Sequence, residues 1–148
     1  MAPEMPAPAE AAVAVPSVTI EMTPSAAHVL DRQVLDGVLT VLTHERFCAL
    51  AARFLHECAG STSQMAAAAR SGERESLRRD AHGCKGAALN LGLKALAEAA
   101  QHINQAANDT AADAGTLERL VQAFEARLAD TRTALQREGL LPGAAAIG

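Results

Sequence analysis

The sequence predicts an all-α fold, an antiparallel up-down four-helix bundle with a short additional N-terminal helix. Aromatic residues make up only 2% of the chain, and much of its apolar content is alanine, which favours helices over strands. Apolar residues recur at three- and four-residue steps over several long segments, as one face of an amphipathic helix requires. Short loops between these segments favour antiparallel neighbours, and therefore a bundle.

Composition divides the chain into three parts. Residues 1–27 contain five of the six prolines and neither Lys nor Arg, which predicts a disordered leader. Residues 28–139 carry the helical pattern and are predicted to form the bundle. Residues 140–148 contain Pro142 and two glycines, and we expect them to be a flexible tail.

Capping residues and helix breakers place five predicted helices. Asp31 and Thr43 are suitable N-caps, and Gly92 suits the left-handed position that ends a helix. The predicted spans are about 31–39, 43–70, 73–91, 93–107 and 113–138. The residues predicted to face inward are Phe47, Leu50, Phe54, Cys58 and Met65 in the second helix and Leu77, Ala81, Cys84, Ala88 and Leu91 in the third.

Composition also argues against several classes of function. With a net charge of −4, a pI of about 5.7 and no Trp or Tyr, the chain is not expected to bind nucleic acid. No apolar run reaches the roughly 20 residues of a membrane helix, and the first residues lack the basic start of a secretory signal. The three cysteines show no CxxC spacing, so neither a disulfide framework nor a zinc site is predicted. We expect a monomeric cytoplasmic protein with no membrane partner.

His82 lies on the solvent side of the third predicted helix. On an ideal helical wheel that starts from Leu77, the inward residues fall within about 40° of one direction, whereas His82 lies about 140° away. Gly86 falls near 180° and Lys85 near 80°, which places both one turn beyond His82. The sequence therefore predicts an exposed histidine and not a core histidine.

Gly86 and Lys85 are unusual choices for this chain. A glycine inside a helix costs about 0.5–1 kcal/mol relative to alanine, and here it leaves open space beside the imidazole. The chain has eleven arginines but only two lysines, and an ammonium one turn from His82 suits a transferred phosphoryl group as a point charge. The alternative, from this geometry alone, is a solvated helix face with a tolerated glycine.

The stretch from Ala81 to Gly92 reads AHGCKGAALNLG. It resembles the signature of histidine phosphotransfer (HPt) domains, Ala-His-x-Leu-Lys-Gly-x-Ala/Ser followed by an apolar residue and Gly. The resemblance extends over roughly residues 28–138, with a short first helix and a long second helix before the signature. Cys84 stands where the family usually has Leu, and since it falls on the core stripe the change should affect packing and not chemistry.

The resemblance implies a phosphocarrier without autonomous kinase activity. By resemblance, His82 accepts a phosphoryl group from the aspartyl phosphate of a response-regulator receiver domain and passes it to another receiver, with Lys85 and Gly86 completing the site. The implied partners are receiver domains and a hybrid histidine kinase. The chain itself would need no cofactor, because Mg²⁺ is expected only on the receiver. Asn104 falls where some family members have a Gln that bonds the imidazole, so it is a possible orienting residue.

The predicted docking face surrounds His82. Leu89 lies within about 20° of His82 on the wheel and two turns further on, which suits an apolar contact with the receiver. Arg78 and Arg79 lie one turn before His82 and are expected to attract acidic residues of the receiver. The alternative is that both arginines pair with Glu75 or Asp80 on their own helix.

Two other functions remain as alternatives. A di-iron bundle requires paired Glu-x-x-His motifs on facing helices, and the nearest spacing here is the four-residue pair of Glu98 and His102. An inactive HPt-like module would bind receivers without being phosphorylated. Phosphorylation of His82 would distinguish this module from a phosphocarrier.

Overall fold

The computed structural model describes residues 29–141 and contains five α-helices in that range, with no strand. The predicted all-α class is therefore confirmed for this part of the chain, whereas the predicted leader, residues 1–27, lies outside the described residues. The helices are α1 (Arg32–Val41), α2 (His44–Ser71), α3 (Arg74–Leu91), α4 (Lys94–Asn108) and α5 (Ala114–Arg137).

Each predicted capping residue begins or ends its helix. The Asp31 side chain accepts a hydrogen bond from the Val34 amide at 3.2 Å, and the Thr43 hydroxyl accepts one from the Arg46 amide at 3.1 Å. These bonds satisfy amides that have no partner within the first turn of a helix. Gly92 ends α3 in the left-handed conformation, with a φ of 78°. Local sequence thus determines the helix boundaries to within about two residues.

Four of the helices pack in a ring. Helix α2 contacts α3 and α5, helix α4 contacts the same two helices, and α1 lies against α3. The buried core between them consists mainly of alanine and leucine, with two phenylalanines, Phe47 and Phe124, at 0% exposure. Within residues 29–141, no helix is both long and apolar enough to cross a membrane.

The turn between α3 and α4 packs closely against the start of α1. The Asp31 amide donates to the Gly92 carbonyl at 2.7 Å. A Cβ at position 92 would lie 3.0 Å from the Leu35 backbone nitrogen and 3.1 Å from the Asp31 carbonyl oxygen. Only glycine provides both the positive φ and this close backbone approach.

Arg74 joins α3 to the far end of α4. Its guanidinium donates to the carbonyls of Ala106 at 3.3 Å and Asp109 at 3.1 Å, and also to that of Ala112. A cation at a helix C-terminus satisfies free carbonyls and the helix dipole together. The α3–α4 pair is therefore fixed at both ends, by Gly92 and by Arg74.

The inward face of α2 differs from the predicted stripe at two positions. Leu50 is 45% exposed and Phe54 is half-buried, whereas Ala51 and Leu55 are buried in their place. The buried positions of α2 recur at three- and four-residue steps from Phe47, as knobs in a bundle do. The largest apolar side chains near its start therefore do not all face the core.

The prediction of a flexible tail from residue 140 is wrong for its first two residues. Leu140 and Leu141 are buried, at 4% and 8% exposure. Gly139 adopts a φ of 74°, and the Leu140 amide donates to the Leu135 carbonyl at 2.8 Å. This reversal after α5 returns the chain to the core and resembles a Schellman motif. The apolar pair Leu140–Leu141 follows a glycine, so its burial depends on the reversal and not on helical periodicity.

Substitution at Gly92 should reveal the cost of the close contact with α1. Gly92→Ala should lower the free energy of unfolding by about 2–4 kcal/mol, because alanine disfavours the left-handed conformation and its Cβ would overlap the α1 backbone. Urea denaturation measures this change. Gly72→Ala is a matched control, since Gly72 has the same φ of 78° but open space around it, and it should cost only about 1–2 kcal/mol. Equal losses for the two variants would show that the α1 contact contributes nothing.

Candidate functional site

His82 is exposed on the outer face of α3. Leu77, Ala81, Cys84 and Ala88 occupy the opposite, buried face of the same helix. The predicted placement of His82 is confirmed by this pattern of burial, because residues between the core positions must project outward. An exposed imidazole is accessible to a second protein.

The space beside His82 is open. Gly83 and Gly86 are both exposed, and a Cβ built at either position would meet no atom within 4 Å. Glycine is therefore not required there by packing, and each costs helix stability. The arrangement suits a surface that a bulky reactant approaches closely.

Lys85 is held by a residue that the sequence analysis did not identify. Its Nζ donates to the Oε1 atom of Gln101 on α4 at 2.7 Å, and both side chains are half-buried. Lys85 lies eight positions before Leu93, and Gln101 lies eight positions after it. In an antiparallel helix pair, residues at equal distances from the turn lie at the same level, and this rule would have identified Gln101. A neutral acceptor fixes the ammonium without cancelling its charge.

Asn104 lies on α4, one turn beyond Gln101. Asn104 lies eleven positions after Leu93, and His82 lies eleven positions before it. The same rule therefore places Asn104 at the level of His82. The Oδ1 atom of Asn104 is buried and has no hydrogen-bond partner among residues 29–141. Buried polar atoms are nearly always paired. This oxygen is therefore suited to accept a hydrogen bond from a binding partner or from a nearby side chain that rotates toward it. No hydrogen bond joins Asn104 to His82 in the described range, and its orienting role stays a prediction.

The two arginines before His82 differ in their partners. Arg78 donates through Nε to Oε1 of Glu75 at 3.2 Å, with a second bond between the same side chains. The hydrogen bond from Arg78 lowers the pKa of the Glu75 carboxyl, so the pair is an ion pair at neutral pH. Arg79 is exposed and forms no hydrogen bond or ion pair through its side chain with another described residue. The alternative of pairing on the same helix therefore holds for Arg78, whereas Arg79 keeps an unpaired cation beside His82.

Leu89 is 50% exposed on α3. This exposure agrees with its predicted position on the same side of the helix as His82.

Among residues 29–141, no three His, Cys, Asp or Glu side chains are grouped so that they could hold a metal ion.

Comparison with known proteins places this geometry in a family. The model of the Hpt domain family matches residues 49–138, which is more than half of the chain and includes His82, Lys85 and Gly86. No curated protein and no solved structure matches the chain significantly. Hpt domains are phosphocarriers of phosphorelays, and this chain belongs to the Hpt domain family.

Proposed function

We propose that the chain is a histidine phosphotransfer protein that accepts a phosphoryl group on His82 from the aspartyl phosphate of one receiver domain and passes it to another. The observation that carries this proposal is the exposed His82, followed on the same helix by two exposed glycines, Gly83 and Gly86, that packing does not require. The match to the Hpt family over the same residues supports it.

The transfer needs little from this chain beyond a positioned nucleophile. An unprotonated ring nitrogen of His82 attacks phosphorus, a P–N bond forms, and the bond from phosphorus to the aspartyl oxygen breaks, so that the carboxylate leaves. The second receiver reverses these roles, with its aspartate as nucleophile and His82 as leaving group. Positioning and charge neutralisation account for most of such catalysis. The receiver supplies the Mg²⁺, and no cofactor is assigned to this chain.

Lys85 supplies positive charge next to the transferred group. Its ammonium is one helical turn from His82, and the hydrogen bond to Gln101 reduces the freedom of a long side chain before phosphate arrives. Because Gln101 is neutral, the full charge of Lys85 remains available to phosphoryl oxygens. Gln101 therefore acts as a positioning residue for Lys85.

Asn104 is proposed to orient the imidazole. Its buried, unpaired oxygen suits an N–H donor from the ring of His82, and such a bond would fix which ring nitrogen stays unprotonated for attack. The side chain is shorter than the Gln of some family members, so the imidazole must lean toward α4 for the bond to form.

The remaining features of the proposal concern architecture and partners. The ring of helix contacts and the short connections support an antiparallel up-down four-helix bundle with α1 as the additional helix. A receiver is proposed to dock on the face that carries His82, Leu89 and Arg79, with a hybrid histidine kinase as the source of phosphoryl groups. A monomeric cytoplasmic protein is consistent with this role. The other candidate, an Hpt-like module that binds receivers without phosphorylation, is opposed by the intact His82, Lys85 and Gly86.

Loss of His82 should abolish phosphorylation. Incubation of the protein with a phosphorylated receiver should give an acid-labile, base-stable label, and His82→Gln should remove it. His102→Gln is a matched control, since His102 is also an exposed histidine, on the neighbouring helix α4, and it should be labelled like the wild type. Binding of a receiver without labelling of the wild type would instead support the inactive module.

Changing Gln101 should test the charge of Lys85. In Gln101→Glu a carboxylate would pair with Lys85 and cancel its charge, so the transfer rate should fall by about tenfold, which corresponds to about 1.4 kcal/mol. Gln101→Leu keeps the charge of the ammonium but removes its hydrogen bond, so the transfer rate should fall by less. Rapid-quench measurement of phosphoryl transfer from a labelled receiver gives both rates. A Glu variant as fast as the wild type would show that the charge of Lys85 is not used.

The two arginines should affect docking differently. Arg79→Ala should slow association with a receiver at low salt by a few-fold, and the effect should fade as salt screens the charge. The matched control is the double variant Glu75→Ala, Arg78→Ala, which removes the whole ion pair and leaves the net charge unchanged. Leu89→Ala should weaken binding at both salt concentrations, since an apolar contact is not screened. Stopped-flow association rates at two ionic strengths test these expectations, and equal effects of Arg79→Ala and of the double variant would contradict them.

A further inference from the structure

Two buried cysteines face each other behind the phosphorylation site. Cys58 on α2 and Cys84 on α3 are 2% and 7% exposed, and their sulfur atoms are 3.9 Å apart. Cys84 is two residues after His82 and projects to the opposite side of the same helix. The phosphotransfer proposal uses neither thiol.

A cavity gives solvent access to both sulfurs. It lies between α2 and α3, has a volume of about 300 Å³, and is therefore several times larger than the roughly 30 Å³ that a water molecule occupies in the liquid. Its walls include exposed residues as well as the two cysteines, so it opens outward. Five residues of α3 line it, and two of them, Arg79 and Gly83, lie close to His82 in the helix. A small oxidant can thus reach the thiols through the groove between α2 and α3.

The two thiols are not equivalent. The S–H of Cys58 points to the sulfur of Cys84. Donating this bond raises the pKa of Cys58, and burial raises it further. Accepting the same bond lowers the pKa of Cys84, against the opposing effect of burial. These opposite directions favour Cys84 as the thiolate, and thiolates are the nucleophiles of cysteine chemistry.

We propose that Cys58 and Cys84 form a reversible dithiol site that hydroperoxides oxidise to a disulfide, and that the disulfide slows phosphoryl transfer at His82. The effect on transfer rests on the proposed function, whereas the disulfide itself does not.

The oxidation balances with one peroxide. The Cys84 thiolate attacks the peroxide, an S–O bond forms, the O–O bond breaks, and water or an alcohol leaves after it gains a proton. Cys58 then gives up its proton and attacks the sulfenic sulfur, so that the S–S bond forms, the S–O bond breaks and water leaves. Two thiols have lost two electrons, which reduce the peroxide. A small dithiol reductant reverses the reaction by thiol–disulfide exchange.

In this proposal, closing the disulfide also moves the helix that carries His82. A disulfide has sulfurs about 2.05 Å apart, so the present separation of 3.9 Å has to shorten by roughly half. Part of this change can come from side-chain rotation, and the remainder draws α3 toward α2. Since α3 lies between α2 and α4, the same motion strains the bond from Lys85 to Gln101 and narrows the cavity between α2 and α3. Displacements of about 1 Å can cost roughly 100-fold in rate.

The first experiment asks whether the disulfide forms. The reduced full-length protein is treated with hydrogen peroxide, and free thiols are counted by alkylation after denaturation. The count should fall from three to one, and peptide mapping should show a Cys58–Cys84 link. Cys48→Ser is the matched control, because Cys48 is also on α2 but its sulfur contacts His44 and not another cysteine, and it should form the same link. Retention of three free thiols, or a link through Cys48, would overturn the proposal and leave the pair as ordinary core residues.

The second experiment measures the consequence. Oxidised wild type should accept phosphoryl groups from a labelled receiver at least about tenfold more slowly than the reduced protein, and dithiothreitol should restore the rate. Cys58→Ala and Cys84→Ala should transfer at rates that peroxide does not change. The wild-type comparison stands even if an alanine variant fails to fold. A mapped disulfide with an unchanged rate would overturn the regulatory effect, whereas absence of transfer in the reduced protein would count against the proposed function instead.

Discussion

The site depends on the register between α3 and α4. The close approach of Gly92 to the backbone of α1 fixes the turn between these helices, and the hydrogen bonds from Arg74 fix their opposite ends. With both ends held, two antiparallel helices have only one way to align. That alignment brings Gln101 to Lys85 and places Asn104 at the level of His82. Without this constraint α3 would carry a histidine and a lysine with no partner helix to position them.

The charge around His82 depends on which of the nearby cations are paired with a carboxylate. Arg78 is paired with Glu75, and Lys85 is held by a neutral amide. Arg79 forms no ion pair within residues 29–141 and has only a longer-range attraction to Glu75. Surface ion pairs contribute little stability, so the pairing of Arg78 affects the local field more than the fold. The result is a surface with two cations available to an acidic, phosphorylated partner in an otherwise acidic chain.

Helix α3 links the core to the reactive surface. One face carries Cys84 in the core, and the other carries His82, so a displacement of the buried face also moves the imidazole. On the adjoining helix, the exposed Leu50 and the half-buried Phe54 border the open region between α2 and α3. Close packing transmits small shifts, because interiors have few voids to absorb them. This arrangement is the basis of the proposed coupling between the two buried thiols and the exposed site.

The sequence by itself determined the helices and the exposure of His82, because caps, glycines and apolar periodicity act within a few residues. Asp31, Thr43 and Gly92 were identified as caps for that reason, and the structure places them as predicted. The tertiary structure alone determined the features that join residues distant in the chain. The bond from Lys85 to Gln101 and the contact between Cys58 and Cys84 depend on how whole helices align, as does the burial of Leu140 and Leu141. Even a short-range choice, the pairing of Arg78 instead of Arg79 with Glu75, depended on rotamers that the sequence pattern does not specify.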